Sequence, residues 1–358
     1  MNVSDGMNYA PKGKPQPVVR PGEFGFSAVR LDHGHIYGMA NALTEAGATL
    51  RYVYDPDPAK VEAFLRAYPQ ATVARCEAEA LEDPGTRLIA GAAVTSERCA
   101  LGLHAMAAGK DYFTDKAPFT TLAQLESARA AVAATGRKYM VYYSERLHVE
   151  GAVLAGELIA RGEIGRVLHV DGFGPHRLGA AGRPDWFFEK EKYGGILCDI
   201  GSHQIEQFLF YAGEEDARVD SARVANYAHP EYPELEDFGD CALTGANGAT
   251  HFFRVDWFTP DGLRTWGDGR LFIVGTEGTI EIRKYIDVAA EQPGGDWVFL
   301  VNGKGEARIS ASGVTGFPFF GQLILDCLHR TENAMTQAHA FKAAELCLLA
   351  QQKAVRVR

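Results

Sequence analysis

Cysteine is sparse: six in 358 residues, at positions 76, 99, 198, 241, 327 and 347, with no CxxC pair. That scatter offers neither a disulfide framework nor a paired-thiolate metal site. No apolar run is long enough to cross a bilayer, and the N-terminus lacks the charged-then-apolar layout of a signal peptide. Basic runs and basic amphipathic helices are missing too, and the net charge is −10. Nucleic-acid and membrane-surface binders concentrate Lys and Arg on one face, so both partner classes are excluded. The expectation is a cytoplasmic protein with reduced thiols. Also absent is an intact G-x-G-x-x-G phosphate loop.

What is present is ordinary for a globular chain: 46% hydrophobic and 23% charged residues. The length points to two domains. Residues 1–22, with Pro11, Pro15, Pro17 and Pro21, read as a flexible arm. From 23 to 145, strand patterns (24–31, 49–54, 87–94, 112–114, 138–143) alternate with helix patterns (36–46, 58–68, 98–108, 122–135). Strands separated by helices of that length imply a doubly wound parallel sheet, a Rossmann dinucleotide-binding domain. From 146 to 358, one helix pattern (152–161) is followed mainly by strands and then by two closing helices. Turns such as Ala246-Asn247-Gly248 separate those strands, which predicts an α+β domain on a large open, mostly antiparallel sheet. The closing helices have the option of packing back on the first domain.

Four stretches carry chemistry. Asp55 ends the second strand about twenty residues after the first strand–helix turn, where a carboxylate can bind the adenosine ribose and favour NAD over NADP. Opening a turn before Pro56 is its plainer role. The turn itself reads Leu31-Asp32-His33-Gly34-His35-Ile36, where only Gly34 adopts positive φ without cost. Asp32 is a candidate helix cap, and His33 or His35 a candidate phosphate donor. No metal is assigned to the His-Gly-His triplet, because two histidines without a carboxylate partner are more often hydrogen-bonding loop residues. Lys116, in Tyr112-Phe113-Thr114-Asp115-Lys116-Ala117-Pro118, follows a short strand, so its ammonium lies at the carboxyl edge of the sheet and can stabilise a developing alkoxide. Asp199 and His203, in Gly194-Gly195-Ile196-Leu197-Cys198-Asp199-Ile200-Gly201-Ser202-His203, stand four apart at a helix start and share a side. An imidazole there can take a hydroxyl proton, with the carboxylate orienting it. A capping Asp and a half-buried His explain the same pattern equally well.

Gly-Gly-x-Leu-x-Asp-x-Gly-x-His before an apolar helix resembles the catalytic signature of the Gfo/Idh/MocA oxidoreductases. Asp115-Lys116-Ala117-Pro118 is similar to that family's Glu-Lys-Pro motif, after the lead-in Ala107-Ala108-Gly109-Lys110-Asp111-Tyr112-Phe113. Gly162-Glu163-Ile164-Gly165-Arg166-Val167 and Gly275-Thr276-Glu277-Gly278-Thr279-Ile280 also match, so the likeness runs in order from Phe24 to the end.

The resemblance implies an oxidoreductase that moves a hydride between NAD and a hydroxyl-bearing carbon of a sugar, cyclitol or polyol. By position it assigns Lys116, Asp199 and His203 to catalysis. Asp32, His33, Gly34, His35, Ile36, Asp55, Thr95, Ser96, Asp115, Lys116 and Ser144 fall to the cofactor, with Asp115 on the nicotinamide-side ribose. Arg146, His176, Arg183, Trp186 and Tyr193 fall to the substrate. A homodimer or homotetramer is expected on the same analogy. The chain departs from the family at the glycine-rich turn, at the extra residue before Pro118, and at Thr95-Ser96-Glu97. Two other functions stay open: a glycoside hydrolase or epimerase that uses NAD transiently, and a non-catalytic relative that has lost its nucleotide site.

Overall fold

The computed structural model describes residues 16–289 and 295–357, and the chain forms two compact units. The first runs up to Tyr142 and also takes in Phe317–Phe341; the second comprises Tyr143–Gly316 and Lys342–Arg358. Most of the arm, residues 1–15, lies outside the described residues. Its described end is not loose, which corrects the flexible-arm expectation for residues 16–22. Val18 N–H donates to the Ala46 carbonyl at 3.0 Å, and Gly22 N–H to the Thr49 hydroxyl at 2.8 Å.

The first unit is a six-stranded parallel sheet. Its strands are β1 (Gly25–Val29), β2 (Thr49–Tyr54), β3 (Thr72–Val73), β4 (Thr86–Gly91), β5 (Asp111–Asp115) and β6 (Tyr139–Tyr142). They are ordered β3-β2-β1-β4-β5-β6. The helices between them are α1 (His35–Glu45), α2 (Pro58–Ala67), α3 (Glu77–Glu82), α4 (Arg98–Ala107) and α5 (Leu122–Thr135). Local chemistry sets their limits. Asp57 accepts from Ala59 N–H ahead of Pro58, and Thr121 with Gln124 forms a reciprocal capping box. Such caps contribute about 1 kcal/mol each. Gly136 closes α5 at φ 64°, a left-handed conformation open to glycine.

Phe26, Ala28, Leu88, Ala90, Phe113 and Val141 are fully buried, as a parallel sheet covered on both faces demands. The free edge of β6 is covered by Gln337, whose side-chain amide exchanges two hydrogen bonds of 2.8 Å with the Tyr139 backbone. Phe113 packs on Phe319 and Phe320, with ring centroids 5.9 and 6.4 Å away.

In the second unit, α6 (Ser144–Leu147) and α7 (Glu150–Ala160) precede β7 (Val167–Pro175). Three helices follow: α8 (Lys190–Tyr193), α9 (Ile196–Asp199) and α10 (Gly201–Ala212). The remaining strands are β8 (Ala217–Ala225), β9 (Phe238–Gly245), β10 (Thr250–Asp256), β11 (Arg270–Gly275), β12 (Gly278–Arg283), β13 (Trp297–Asn302), β14 (Gly305–Ser310) and β15 (Val355–Arg356). Two late helices complete the elements: α11 (Pro318–His329) lies in the first unit, and α12 (Gln337–Lys353) begins there and ends in the second. The nine strands are ordered β14-β13-β12-β11-β7-β10-β9-β8-β15. Pairing is antiparallel except where β7 meets β10 and β8 meets β15. One face is the core. Val170, Phe253, Leu271, Ile273, Ile280 and Ile282 alternate inward along their strands and are wholly or almost wholly buried.

Candidate functional site

In the first unit the site is built around a buried carboxylate. Asp115, the last residue of β5, has no exposed surface. One oxygen accepts from His35 Nδ1 at 2.8 Å and from Lys116 N–H at 2.7 Å. The other lies 3.1 Å from both His33 Nδ1 and the Arg98 guanidinium. Burial opposes ionisation of Asp115, but His35, Arg98 and His33 prevail and hold its pKa well below the usual range. Burial, with His35 alongside, pushes His33 down to about 3, so its ring is neutral. Arg98 also bonds the carbonyls of Ala93 (2.8 Å), Ala117 (3.0 Å) and Lys116, so it clamps the backbone from which Lys116 projects.

This cluster corrects three expectations. His33 and His35 are turned to Asp115 rather than being loop donors awaiting a phosphate. Asp115 has no exposed surface and accepts from His35 Nδ1, Lys116 N–H and Arg98, so its carboxylate is committed to its own chain. The histidines do have a carboxylate partner, eighty positions on in sequence, and the three offer ligand atoms within 4.8 Å of one another. Arg98 and the Lys116 amide nevertheless already engage the Asp115 oxygens that a metal would need.

The second strand's end is similarly committed. Asp55 accepts from Leu31 N–H at 2.6 Å and from Asp57 N–H at 2.8 Å, and its side chain is 1% exposed. It braces two turns, the plainer of its two readings. Asp32 is ion-paired with Lys60 and does not cap α1, whose N-cap is Gly34 with no side-chain bond. Ile36 is core. Arg30 adopts φ 62°, so the turn after β1 keeps a left-handed residue without a glycine. Thr95 and Ser96 form the short 3-10 turn after β4, with Thr95 buried.

In the second unit, Gly194 and Gly195 have φ 88° and 96° and lead into α9 and α10. A Cβ on Gly195 would collide with Gln351 and Lys190, so its closeness is to its own chain and not to a ligand. Asp199 is half-buried at the end of α9, and its carbonyl accepts from the Ser202 hydroxyl at 2.7 Å. His203 is 2% exposed in the first turn of α10. Close by in charge is Glu145, in α6, which the sequence reading passed over. It accepts from Lys284 Nζ at 2.6 Å and from Gln204 Nε2 at 3.3 Å. Burial opposes its charge, yet Lys284, His203 and His176 lower its pKa to about 2. Ser144 is buried at the start of the same helix. Arg146 donates to Glu206 at 2.7 Å and covers the Phe210 ring at 3.9 Å, so this substrate candidate is already paired.

The other substrate candidates come together around Trp257 and Phe187. The His176 ring lies 5.5 Å from Trp257 and 4.3 Å from Trp266. Arg183 sits over Phe187 and Trp257 at 4.4 and 4.8 Å. Trp186 contacts Phe187 edgewise and is half-buried. Tyr193 is the exception. It is buried, donates to the Glu234 carbonyl at 3.2 Å and accepts from Glu236 N–H at 3.0 Å, which makes it a structural tie.

Comparison with known proteins extends this geometry. Residues 153–281 match the GFO/IDH/MocA C-terminal domain. A crystal structure of a provisionally assigned oxidoreductase from Erwinia carotovora atroseptica SCRI1043 is 51% identical, with a TM-score of 0.91. That alignment covers 94% of this chain and 100% of the other. The chain belongs to the Gfo/Idh/MocA family. A scyllo-inositol 2-dehydrogenase (NAD+) from Bacillus subtilis (strain 168) is 29% identical over 71% of this chain and 71% of its own. A D-xylose dehydrogenase from Paenarthrobacter nicotinovorans is 35% identical over 34% of this chain, and the match spans only 33% of that protein. The residues of this Gfo/Idh/MocA member that sequence reading missed are Arg98, Glu145, Glu206 and Lys284. The one available signal was a charged residue opening the otherwise apolar start of α4.

Proposed function

We propose that the protein is an NAD-dependent oxidoreductase acting on a hydroxyl-bearing carbon of a sugar, cyclitol or related polyol. One observation carries the reading: His203 is buried one helical turn after Asp199, within the field of an ionised Glu145. Such a carboxylate favours proton uptake by the imidazole. In this reading His203 accepts the substrate hydroxyl proton and Asp199 orients the ring or the neighbouring hydroxyl. Lys116, on a backbone clamped by Arg98, stabilises negative charge on the reacting oxygen. D-xylose and scyllo-inositol, the substrates named for two relatives, are polyhydroxylated and support the substrate class.

The first unit's residues fit a dinucleotide in outline. The strand order reverses between the paired β1 and β4, the kind of switch point beside which such sheets bind ligands, α1 opens at Gly34 without a side-chain cap, and Arg30 keeps the positive φ of a phosphate turn. Gly34, Thr95 and Ser96 are the residues we assign to holding it. When bound, the nicotinamide supplies the hydride acceptor or donor. Asp32, Asp55 and Asp57 outnumber Lys60 beside this turn, and Lys60 is already paired, so a ribose phosphate meets net negative charge. NAD is therefore favoured over NADP. The exposed face of the second sheet carries Phe272, Val274 and Val301, which supports a homodimer or homotetramer.

The test is to denature the purified protein, identify any released nucleotide, and titrate NAD and NADP calorimetrically. Turnover of D-xylose and scyllo-inositol is then followed by NADH absorbance. Absence of binding by either nucleotide would replace the enzyme reading with that of a non-catalytic relative.

A further inference from the structure

The proposed chemistry leaves a buried ion pair without a task. Lys284 follows β12 with a side chain that has no exposed surface, and it donates to Glu145 at 2.6 Å. Replacing such a pair by apolar residues is often neutral or stabilising, so its presence calls for a function beyond stability. The second oxygen of Glu145 supplies one. Glu145 Oε1 is buried, has no hydrogen-bond partner among the described residues, and faces His176 Nε2 at 3.8 Å.

His176 is itself held in place. Its N–H donates to the Asp256 carbonyl at 2.8 Å, its carbonyl accepts from Thr259 N–H at 3.1 Å, and Arg177 N–H donates to the Trp266 carbonyl at 2.7 Å. Its Nδ1 lies 3.2 Å from the Gly174 carbonyl oxygen, which can only accept, so Nδ1 carries a proton. In a neutral ring Nε2 would then turn a lone pair toward a carboxylate oxygen. Only the doubly protonated imidazolium gives both nitrogens a proton to aim at the oxygens they face.

We propose that Glu145, neutralised from behind by Lys284, is a positioning residue that keeps His176 protonated and its ring fixed beside Trp257 and Trp266. The consequence is a cationic imidazole in the aromatic cluster we assign to substrate, suited to hydroxyl or other electron-rich oxygens. Glu145 faces the ring through Oε1, with Lys284 on its other oxygen. Arg183 lies across Trp257, and Asp256, through whose carbonyl His176 is anchored, has its carboxylate paired with Arg254. His203 acts on the same Glu145 carboxylate. The substrate part of this inference rests on the proposed function; the protonation part does not.

The experiment is therefore made on the full chain without ligand. Histidine ring signals are followed by NMR from pH 5 to 9, with His176→Gln used to assign the signal. The His176 midpoint is expected at least about one unit above the ordinary 6.5. In Glu145→Gln it should fall by a similar amount. Should that variant fail to fold, the charge-balanced pair Glu145→Gln with Lys284→Met serves the same purpose, and a smaller fall in the same direction is expected, because the opposing ammonium leaves with the carboxylate. A His176 midpoint at or below 6.5 in the native chain, or one unmoved by loss of Glu145, overturns the proposal. Either result is reached whether or not the protein turns over any sugar.

Discussion

His35 Nδ1 donates to the Asp115 carboxylate across 2.8 Å, which joins the turn after β1 to the end of β5 inside the first unit. Asp115→Asn removes the charge that Arg98 and His35 share while leaving the shape intact. Breaking a buried pair in this way costs about 3–5 kcal/mol. The expected outcome is a matching fall in urea-unfolding free energy with an unchanged slope. Three donors already engage Asp115, from His35, the Lys116 amide and Arg98, so dialysis against EDTA should leave the native midpoint where it was. A fall on dialysis, restored by zinc, would convert the His33, His35 and Asp115 cluster into a metal site.

Acid stability follows from the two depressed carboxylates. Asp115 and Glu145 titrate below their unfolded values, so the stability they contribute is complete above the ordinary carboxylate range and lost as pH falls through their folded pKa. For Glu145 the window runs from about 4.3 in the unfolded chain down to about 2. The Glu145 contribution, read as the difference in urea midpoint between the native chain and Glu145→Gln, should hold steady from pH 7 to 5 and then close below 4. Glu145→Gln should show a shallower drop.

Asp296 has the opposite sign. Burial raises its pKa to about 7, so it costs stability progressively as pH climbs from the unfolded value near 3.8 to the folded one. Its φ of 59° is one that Asn also tolerates. Asp296→Asn should thus raise the unfolding midpoint at pH 8 and leave it unchanged at pH 4. Equal effects at both pH values would show that charge is not the cause.

The catalytic assignments are separable from the scaffold. Lys116→Met and His203→Ala should each lower turnover by on the order of a hundredfold or more, with NAD affinity and thermal midpoint nearly unchanged. A variant with native turnover on the identified substrate removes that residue from the mechanism.

Much of the fold was legible because its signals are local. The helix over 122–135 is bounded by Thr121 and Gly136, and the strand over 49–54 stops at Asp55-Pro56. β13 and β14 escaped notice because the outermost strand, β14, is exposed on both faces and shows no alternation. The chain's second visit to the first unit, Phe317–Phe341, has no turn signal that names its destination. At the site, residue types were readable but partners were not. Asp55 has the position of a ribose ligand, yet its lone pairs go to Leu31 and Asp57. Glu145 and Lys284 are 139 positions apart, and nothing in either neighbourhood marks them as buried.

The last prediction separates a dehydrogenase from a redox-neutral hydrolase or epimerase. The residues assigned here serve the hydride step in either case, so the cofactor balance must decide. In a dehydrogenase, NADH accumulates in proportion to oxidised product. In a redox-neutral reaction the hydride returns, no NADH accumulates, and solvent deuterium enters at the carbon beside the transient ketone. Retaining the reduced cofactor through those steps requires a firm grip on the pyrophosphate. The turn after β1 is poorly equipped for it. Leu31, His33 and Ile36 stand where glycines would admit the phosphates, and His33 and His35 are bound to Asp115. Net oxidation is therefore expected: one NADH per sugar or polyol consumed, with no deuterium gained at the neighbouring carbon. Glycosidic cleavage without NADH, accompanied by deuterium incorporation, would establish the redox-neutral reaction instead.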